Sequence, residues 1–377
     1  MMCDVYVGEK NPDSRLIDPS VISAVNSHNE WDPLEEVIVG RLDMATVPTV
    51  HVSVDFNGKN WQTKLIRLLS GFRYPGWMVR RAQQELDGFI RLLEAEGVRV
   101  RRPDPVDFHV RFRTPHWSSR GFCAACPRDL FLVAGNEIIE TPSCWRSRYF
   151  EAYAYRALFK EYFKNGTRWT AAPRPELLDD LFDDHFKESK PGEPLRYVTN
   201  EFEPVFDAAD FMRCGRDLFC IRSHVTNRGG IEWLRRHLGA TYHVHEIESR
   251  CRRPMHIDTT FLPLAPGKVL VNPEYLDPAR LPSFFKNWDV LIAPEPDPVD
   301  EIMVRLSPCS RWISLNVLML DEKRVIVEKS QVTLIQALKD WGFSPIPCAF
   351  LTYGPFGGAF HCATLDVRRR GTLREYF

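Results

Sequence analysis

The chain has 377 residues, 44% apolar and 26% charged, the composition of an ordinary globular protein rather than a disordered one. Its 49 Lys and Arg nearly balance 50 Asp and Glu, and a net charge of −1 excludes a nucleic-acid or membrane partner recruited by overall charge. No apolar run reaches the length of about 18 residues that a transmembrane helix needs, and residues 1–10, with Asp4 and Glu9 and no apolar stretch, do not read as a secretory signal.

In chain order, residues 36–40 (EVIVG) open a series of short β-type runs. A helix is predicted over 77–96, where Val79, Ala82, Leu86, Phe89, Ile90 and Leu93 recur at steps of three and four and Gly97 stands as the stop. A strand follows at 98–102. The second run, 130–135 (LFLVAG), leads to a helix over 150–164, stopped by Gly166, and a weaker strand at 168–172. The third, 218–221 (LFCI), leads to a helix over 231–238, stopped by Gly239, and a strand at 242–247. The fourth, 268–272 (KVLVN), leads to a helix over 279–287 and a strand at 288–293. The fifth, 324–327 (RVIV), leads to a helix over 331–341, stopped by Gly342, and a strand at 343–350. A last strand is predicted over 359–367. Arg128-Asp129-Leu130-Phe131 recurs as Arg216-Asp217-Leu218-Phe219, which reads as one structural position repeated.

Five units, each of strands around one helix, cannot bury their apolar faces singly. Either they close into one ring, the final strand against the first, or they divide between two α/β domains. The first two units are the longest and so carry insertions, where sites are commonly built.

Candidate chemistry is spread along the chain. Cys362 follows Gly357 and Gly358, which let the backbone approach closely and leave the sulfur uncrowded. His256 and Asp258 stand two apart, the spacing that puts an acid/base beside a cation-binding carboxylate on one face of an extended segment. Residues 201–210 (EFEPVFDAAD) concentrate carboxylates that could accept the planar fork of a guanidinium, or form a solvated turn. Cys123 and Cys126 have metal or redox spacing without a second pair, and His243 and His245 read as structural. Asn227-Arg228-Gly229-Gly230 reads as a loop-to-helix turn, and Arg368-Arg369-Arg370 as a salt-bridged tail. No phosphate-loop, dinucleotide or metal motif is present, so no cofactor and no metal are expected. The ten scattered cysteines read as thiols of a reducing compartment, the cytoplasm. A thiol, an imidazole and several carboxylates suit covalent chemistry on a cationic, amidine-like carbon.

Blocks 29–41 (NEWDPLEEVIVGR), 127–142 (PRDLFLVAGNEIIETP), 202–219 (FEPVFDAADFMRCGRDLF), 254–261 (PMHIDTTF), 315–327 (LNVLMLDEKRVIV) and 357–373 (GGAFHCATLDVRRRGTL) closely resemble L-arginine amidinotransferases, over residues 26–376. The resemblance implies an α/β fold, a five-bladed, pentein-like α/β propeller of ββαβ units with pseudo-fivefold symmetry, with 1–28 as an N-terminal segment and 29–377 as one domain. It implies Cys362, His256 and Asp207 as catalytic residues and Asp129, Asp258 and Ser310 as substrate-binding ones. It implies an amidino group moved from L-arginine through a covalent amidino-cysteine to a small primary amine, releasing L-ornithine, in a homodimer. Alternatives on the same fold are transfer to glycine and hydrolysis of the guanidine.

The chain departs from the glycine-using members at Arg253, where they have Asn, at Tyr275, where they have Arg, and at Cys309 and Arg311 around Ser310. These changes argue against glycine as acceptor. The sequence is most similar to the cyanobacterial enzymes of guanidinium-toxin pathways such as that of saxitoxin.

Overall fold

The computed structural model describes residues 23–55, 60–190 and 192–377, and there each predicted unit forms a three-stranded sheet. In every sheet the first strand is antiparallel to the second and the second is parallel to the third. Parallel neighbours need a crossover, and the crossover is where each unit places its helical segment. The second blade is Phe131–Ala134, Glu137–Glu140 and Arg168–Ala171. The third is Phe211–Cys214, Asp217–Cys220 and His243–Glu246. The fourth is Phe261–Ala265, Lys268–Val271 and Asp289–Ile292. The fifth is Leu318–Met319, Arg324–Glu328 and Ser344–Cys348.

The first blade takes its inner strand from the far end of the chain. Thr364–Arg369 lies antiparallel on Leu34–Val39, which pairs in parallel with Arg99–Arg101. That pairing closes a five-bladed α/β propeller. The first strands of neighbouring blades touch around its axis, Thr364–Arg369 against Phe131–Ala134 and Phe211–Cys214 against Phe261–Ala265.

The helix predicted from its stripe runs Gly76–Ala95 and buries Met78, Ala82, Leu86, Phe89 and Leu93, with Gly97 at φ +82 ending it. Of these, Met78, Leu86, Phe89 and Leu93 each contribute about 1.5–3 kcal/mol on burial. Phe89 meets Phe350 and Phe360 at 5.1 Å, so this helix braces the loop that ends in Cys362.

Three expectations are corrected. Residues 279–287 form no α-helix but two 3-10 turns, Pro278–Arg280 and Ser283–Asn287, because Pro282 between them has no N–H to donate. The final strand starts at Thr364, since residues 359–363 turn in front of it. The two Arg-Asp-Leu-Phe copies are not equivalent: residues 128–131 lead into an inner strand through the short helix Pro127–Leu130, whereas Asp217 already starts a middle strand. The second run of the series is likewise an inner strand, and its blade's middle strand is Glu137–Glu140.

Candidate active site

Every inner strand is entered through a tight turn, and the turns bring polar residues to the axis. Asp129 lies in Pro127–Leu130, Asp210 in Ala208–Asp210 and Asp258 in Ile257–Thr259. Asn316 follows Arg311–Leu315, and Cys362 stands two residues before Thr364–Arg369. His256 precedes its turn with φ +61, a left-handed conformation that costs a non-glycine residue about 1–2 kcal/mol and that its tertiary contacts offset.

His256 Nε2 donates to Asp207 Oδ2 at 3.2 Å, and its Nδ1 lies 3.6 Å from Asp129 Oδ1. The closest donor atoms of Asp129, His256 and Cys362 all lie within 4.8 Å of one another. Cys362 Sγ donates to Asp258 Oδ2 at 3.3 Å, and Asp258 Oδ2 also accepts from His361 Nδ1 at 2.9 Å and Asn316 Nδ2 at 2.7 Å. Asp129 Oδ2 accepts from Arg148 at 2.6 Å, and Glu151 takes the other edge of that guanidinium at 2.8 and 2.9 Å. Asp129 Oδ1 and Asp207 Oδ1 are buried and accept no hydrogen bond among the described residues, which leaves two carboxylate oxygens unsatisfied around His256.

Charge is divided unevenly here. Burial alone would lower the His256 imidazole, but Asp129, then Asp207 and Asp210, hold it up at about 10. Burial, then Asp258 and Asp129, pushes the Cys362 thiol well up. Asp258 stays below its ordinary value although burial opposes this, because His361 bonds it and His256 adds charge. Burial raises Asp129, with His256 and Arg148 working against it. The resting pair is therefore thiol and imidazolium. Asp129, His256 and Cys362 could clasp a metal ion only if His256 gave up a proton that three carboxylates retain.

These groups floor a cavity of about 340 Å³. Val47, Val54, Leu65, Leu69, Trp77 and Met78, from the first unit's insertion and the helix after it, form an apolar wall. Cys251, Arg253, Tyr275, Cys309 and Ser310 line the rest. Ser310 also caps Arg311–Leu315 by accepting from Trp312 N at 3.2 Å, and Arg253 pairs with Glu188 at 2.6 Å.

Gly358 has no room for a side chain: a Cβ there would sit 2.4 Å from Cys362 Cβ and 2.6 Å from its sulfur. Gly358→Ala is expected to displace the sulfur and slow alkylation of Cys362 by about tenfold or more with a nearly unchanged melting temperature. An unchanged alkylation rate would show that the sulfur does not depend on that gap.

The other singled-out residues lie elsewhere. Cys123 and Cys126 are buried and both donate to Phe356 O, at 3.7 and 3.6 Å. His245 donates to Asp217 at 2.7 Å, and His243 approaches the same carboxylate. Asn227 caps Arg228–Leu238, and the anion at that helix start is the chain's own Glu201, which accepts from Gly229 N at 2.9 Å. Arg368 and Arg370 pair with Glu35, and Arg369 with Asp366. Sequence reasoning assigned no role to Asn316, His361 or Arg148, and named Asp210 only within the acidic run 201–210. The signal for Asn316 was available: it stands two residues before its blade's inner strand, as Asp129 and Cys362 do.

No protein-family model matches the chain. It is 47% identical over 354 residues to the L-arginine:L-lysine amidinotransferase of Pseudomonas savastanoi pv. phaseolicola, covering 94% of this chain and 97% of that one. It is 46% identical over 361 residues to the mitochondrial glycine amidinotransferase of Danio rerio, covering 94% and 85%. Among solved structures, an amidinotransferase of the saxitoxin biosynthetic pathway from Microseira wollei superposes with a TM-score of 0.91 at 56% identity, over 94% of this chain and 99% of that one. A dimethylarginine dimethylaminohydrolase, 15% identical with a TM-score of 0.53 over 88% of this chain and 99% of that one, shares the pentein fold alone.

Proposed function

The chain belongs to the amidinotransferase family, and from that premise we propose that it takes the amidino group from L-arginine, carries it on Cys362 and passes it to a primary amine, releasing L-ornithine. The observation that carries this reading is the convergence of Cys362, His256 and the carboxylates of Asp129 and Asp258 on one cavity, with Asp207 bonded behind His256 and two carboxylate oxygens unsatisfied.

The guanidinium of arginine seats against Asp129 and Asp258. Its positive charge relieves the electrostatic opposition that holds the Cys362 proton, so the thiolate forms far more readily with substrate present, the proton passing to solvent and returning to the sulfur when the product leaves. The sulfur attacks the guanidinium carbon, and the bond from that carbon to the chain nitrogen breaks. His256 gives that nitrogen the proton it needs to leave as the ornithine amine. The amidino group stays on sulfur. An acceptor amine then attacks the same carbon, His256 takes a proton from it, and the carbon–sulfur bond breaks. Resonance makes this carbon a poor electrophile, so orientation between fixed carboxylates supplies much of the rate. Asp129 and, next to it, Asp207 keep the imidazole charged against its burial, and the hydrogen bond to Asp207 aims it.

The apolar wall supports an acceptor bulkier and less anionic than glycine, and with it a place in guanidinium-toxin biosynthesis of the saxitoxin type. We also take residues 29–377 to act as one domain, a reading supported by the pairing of the last strand with the first. The test is a panel of amines incubated with enzyme and arginine, the guanidinylated products read by mass. The expected preference is for an amine with an apolar chain over glycine. Guanidinoacetate as the main product would overturn the acceptor assignment, and citrulline formed without amine would overturn transfer itself.

A further inference from the structure

The proposed chemistry leaves one buried group beside the sulfur without a task. Asn316 is 1% exposed and meets the cysteine loop through both ends of its amide. Its Oδ1 accepts from Cys362 N at 3.0 Å and from Ala359 N at 3.2 Å. Its Nδ2 donates to Asp258 Oδ2 at 2.7 Å and to Cys362 Sγ at 3.2 Å. This pattern fixes the amide's orientation, since a flip would set its oxygen against a carboxylate and its NH₂ against two backbone N–H groups.

We infer that Asn316 is a catalytic residue whose amide holds Cys362 as a thiolate and fixes the loop that carries it, an inference that rests on reading Cys362 as the nucleophile. The physical need is specific. When the thiol loses its proton, its 3.3 Å contact with Asp258 turns from a hydrogen bond into a meeting of two anions. Asn316 Nδ2 has two hydrogens and lies within reach of both, so it separates them without adding charge. The other groups acting on the sulfur cannot serve. Asp129 opposes ionisation, as do Cys126 and Cys309, and His361 spends its Nδ1–H on Asp258. His256 is cationic, but its Nε2–H is bonded to Asp207 and its proton is committed to the leaving amine. A neutral donor is what this position requires, and the fifth blade supplies it at the turn where the second blade supplies Asp129.

The experiment is alkylation of the full chain with iodoacetamide, without arginine, from about pH 7 to about pH 11, with the Cys362 peptide quantified by mass. Asn316→Ala is expected to react about tenfold or more slowly below the midpoint and to move the midpoint up by about one unit or more. Asn316→Asp is expected to move it further, since it adds a carboxylate. Asn316→Ser, which keeps a shorter donor, should fall between wild type and Asn316→Ala, and serves if either of the others fails to fold. A midpoint within about 0.3 unit of wild type in a folded Asn316→Ala or Asn316→Ser protein would overturn the inference, because a purely structural role lowers the melting temperature without moving this profile. The wider reading fails separately, through a Cys362→Ala enzyme that still turns over arginine.

Discussion

Cys362→Ala is expected to cut ornithine release by about 10³-fold or more while leaving the fold intact, because in the proposed mechanism it removes the atom that carries the transferred group. Wild-type enzyme given arginine without amine should release about one ornithine per active site and gain one amidino group on Cys362, visible in intact mass. The variant should show neither. Among the described residues, the two sulfurs that act on Cys362, those of Cys126 and Cys309, are engaged with backbone carbonyls. Cys126 donates to Phe356 O and is pushed well up by burial, and Cys309 donates to Gly354 O and is raised to about 11, burial being the first cause. Cys362→Ser keeps an oxygen in place and should be nearly as inactive. The same wild-type burst should weaken on the alkaline side near pH 10, where His256, its proton held by Asp129 and Asp207, finally loses it and can no longer protonate the leaving amine. Turnover by Cys362→Ala within about tenfold of wild type would sink the covalent mechanism.

What could be read in the sequence divides along the range of the forces involved. The helix Gly76–Ala95 was legible because its core face repeats every three or four residues and Gly97 marks its end, both local facts. The strand Glu137–Glu140 was not recognised, because a glutamate at each end disguises a buried strand. Glu137 is satisfied by Thr170 and His237, and Glu140 by Trp169 and Arg156, partners remote in sequence or in another blade. Cys362, His256 and Asp207 could each be named as reactive types, yet only ring closure brings together residues that local patterns cannot connect. Asn316 sits in an apolar run, Leu315 to Leu320, and reads locally as a strand interruption. The repeat that would have exposed it runs through inner-strand turns of differing length, which the matching Arg-Asp-Leu-Phe copies obscured by pairing an inner strand with a middle one.

Arg213→Met is expected to lower stability by about 3–5 kcal/mol, several times what the loss of an exposed ion pair costs. Arg213 is buried and grips Glu30 with Nε and Nη2, both at 2.8 Å, and Asp366 with Nη2 at 2.5 Å. Arg128 and Arg369 complete the cluster on Asp366, and His361 links Glu30 to Asp258 on the floor of the cavity. Its members come from several blades, so the cluster ties the ring together at the axis. Removing one arginine leaves two buried carboxylates short of positive charge, which costs far more than the intact cluster contributes. Pairing Arg213→Met with Glu30→Gln should therefore recover part of the loss, and a double-mutant cycle by urea unfolding measures how much. The wild-type dependence on acid has a definite sign. Burial pushes both carboxyls up, but Arg213 and Arg128 hold Glu30, and Arg128, Arg213 and Arg369 hold Asp366, well below the ordinary carboxylate range. The folded state thus binds fewer protons than the unfolded chain, so their contribution is complete above about pH 4.5 and is lost as pH falls through the depressed folded values. A loss under about 1 kcal/mol for Arg213→Met would mean that water or a backbone shift replaces the guanidinium, and that the ring is held chiefly by strand pairing and apolar packing between its blades.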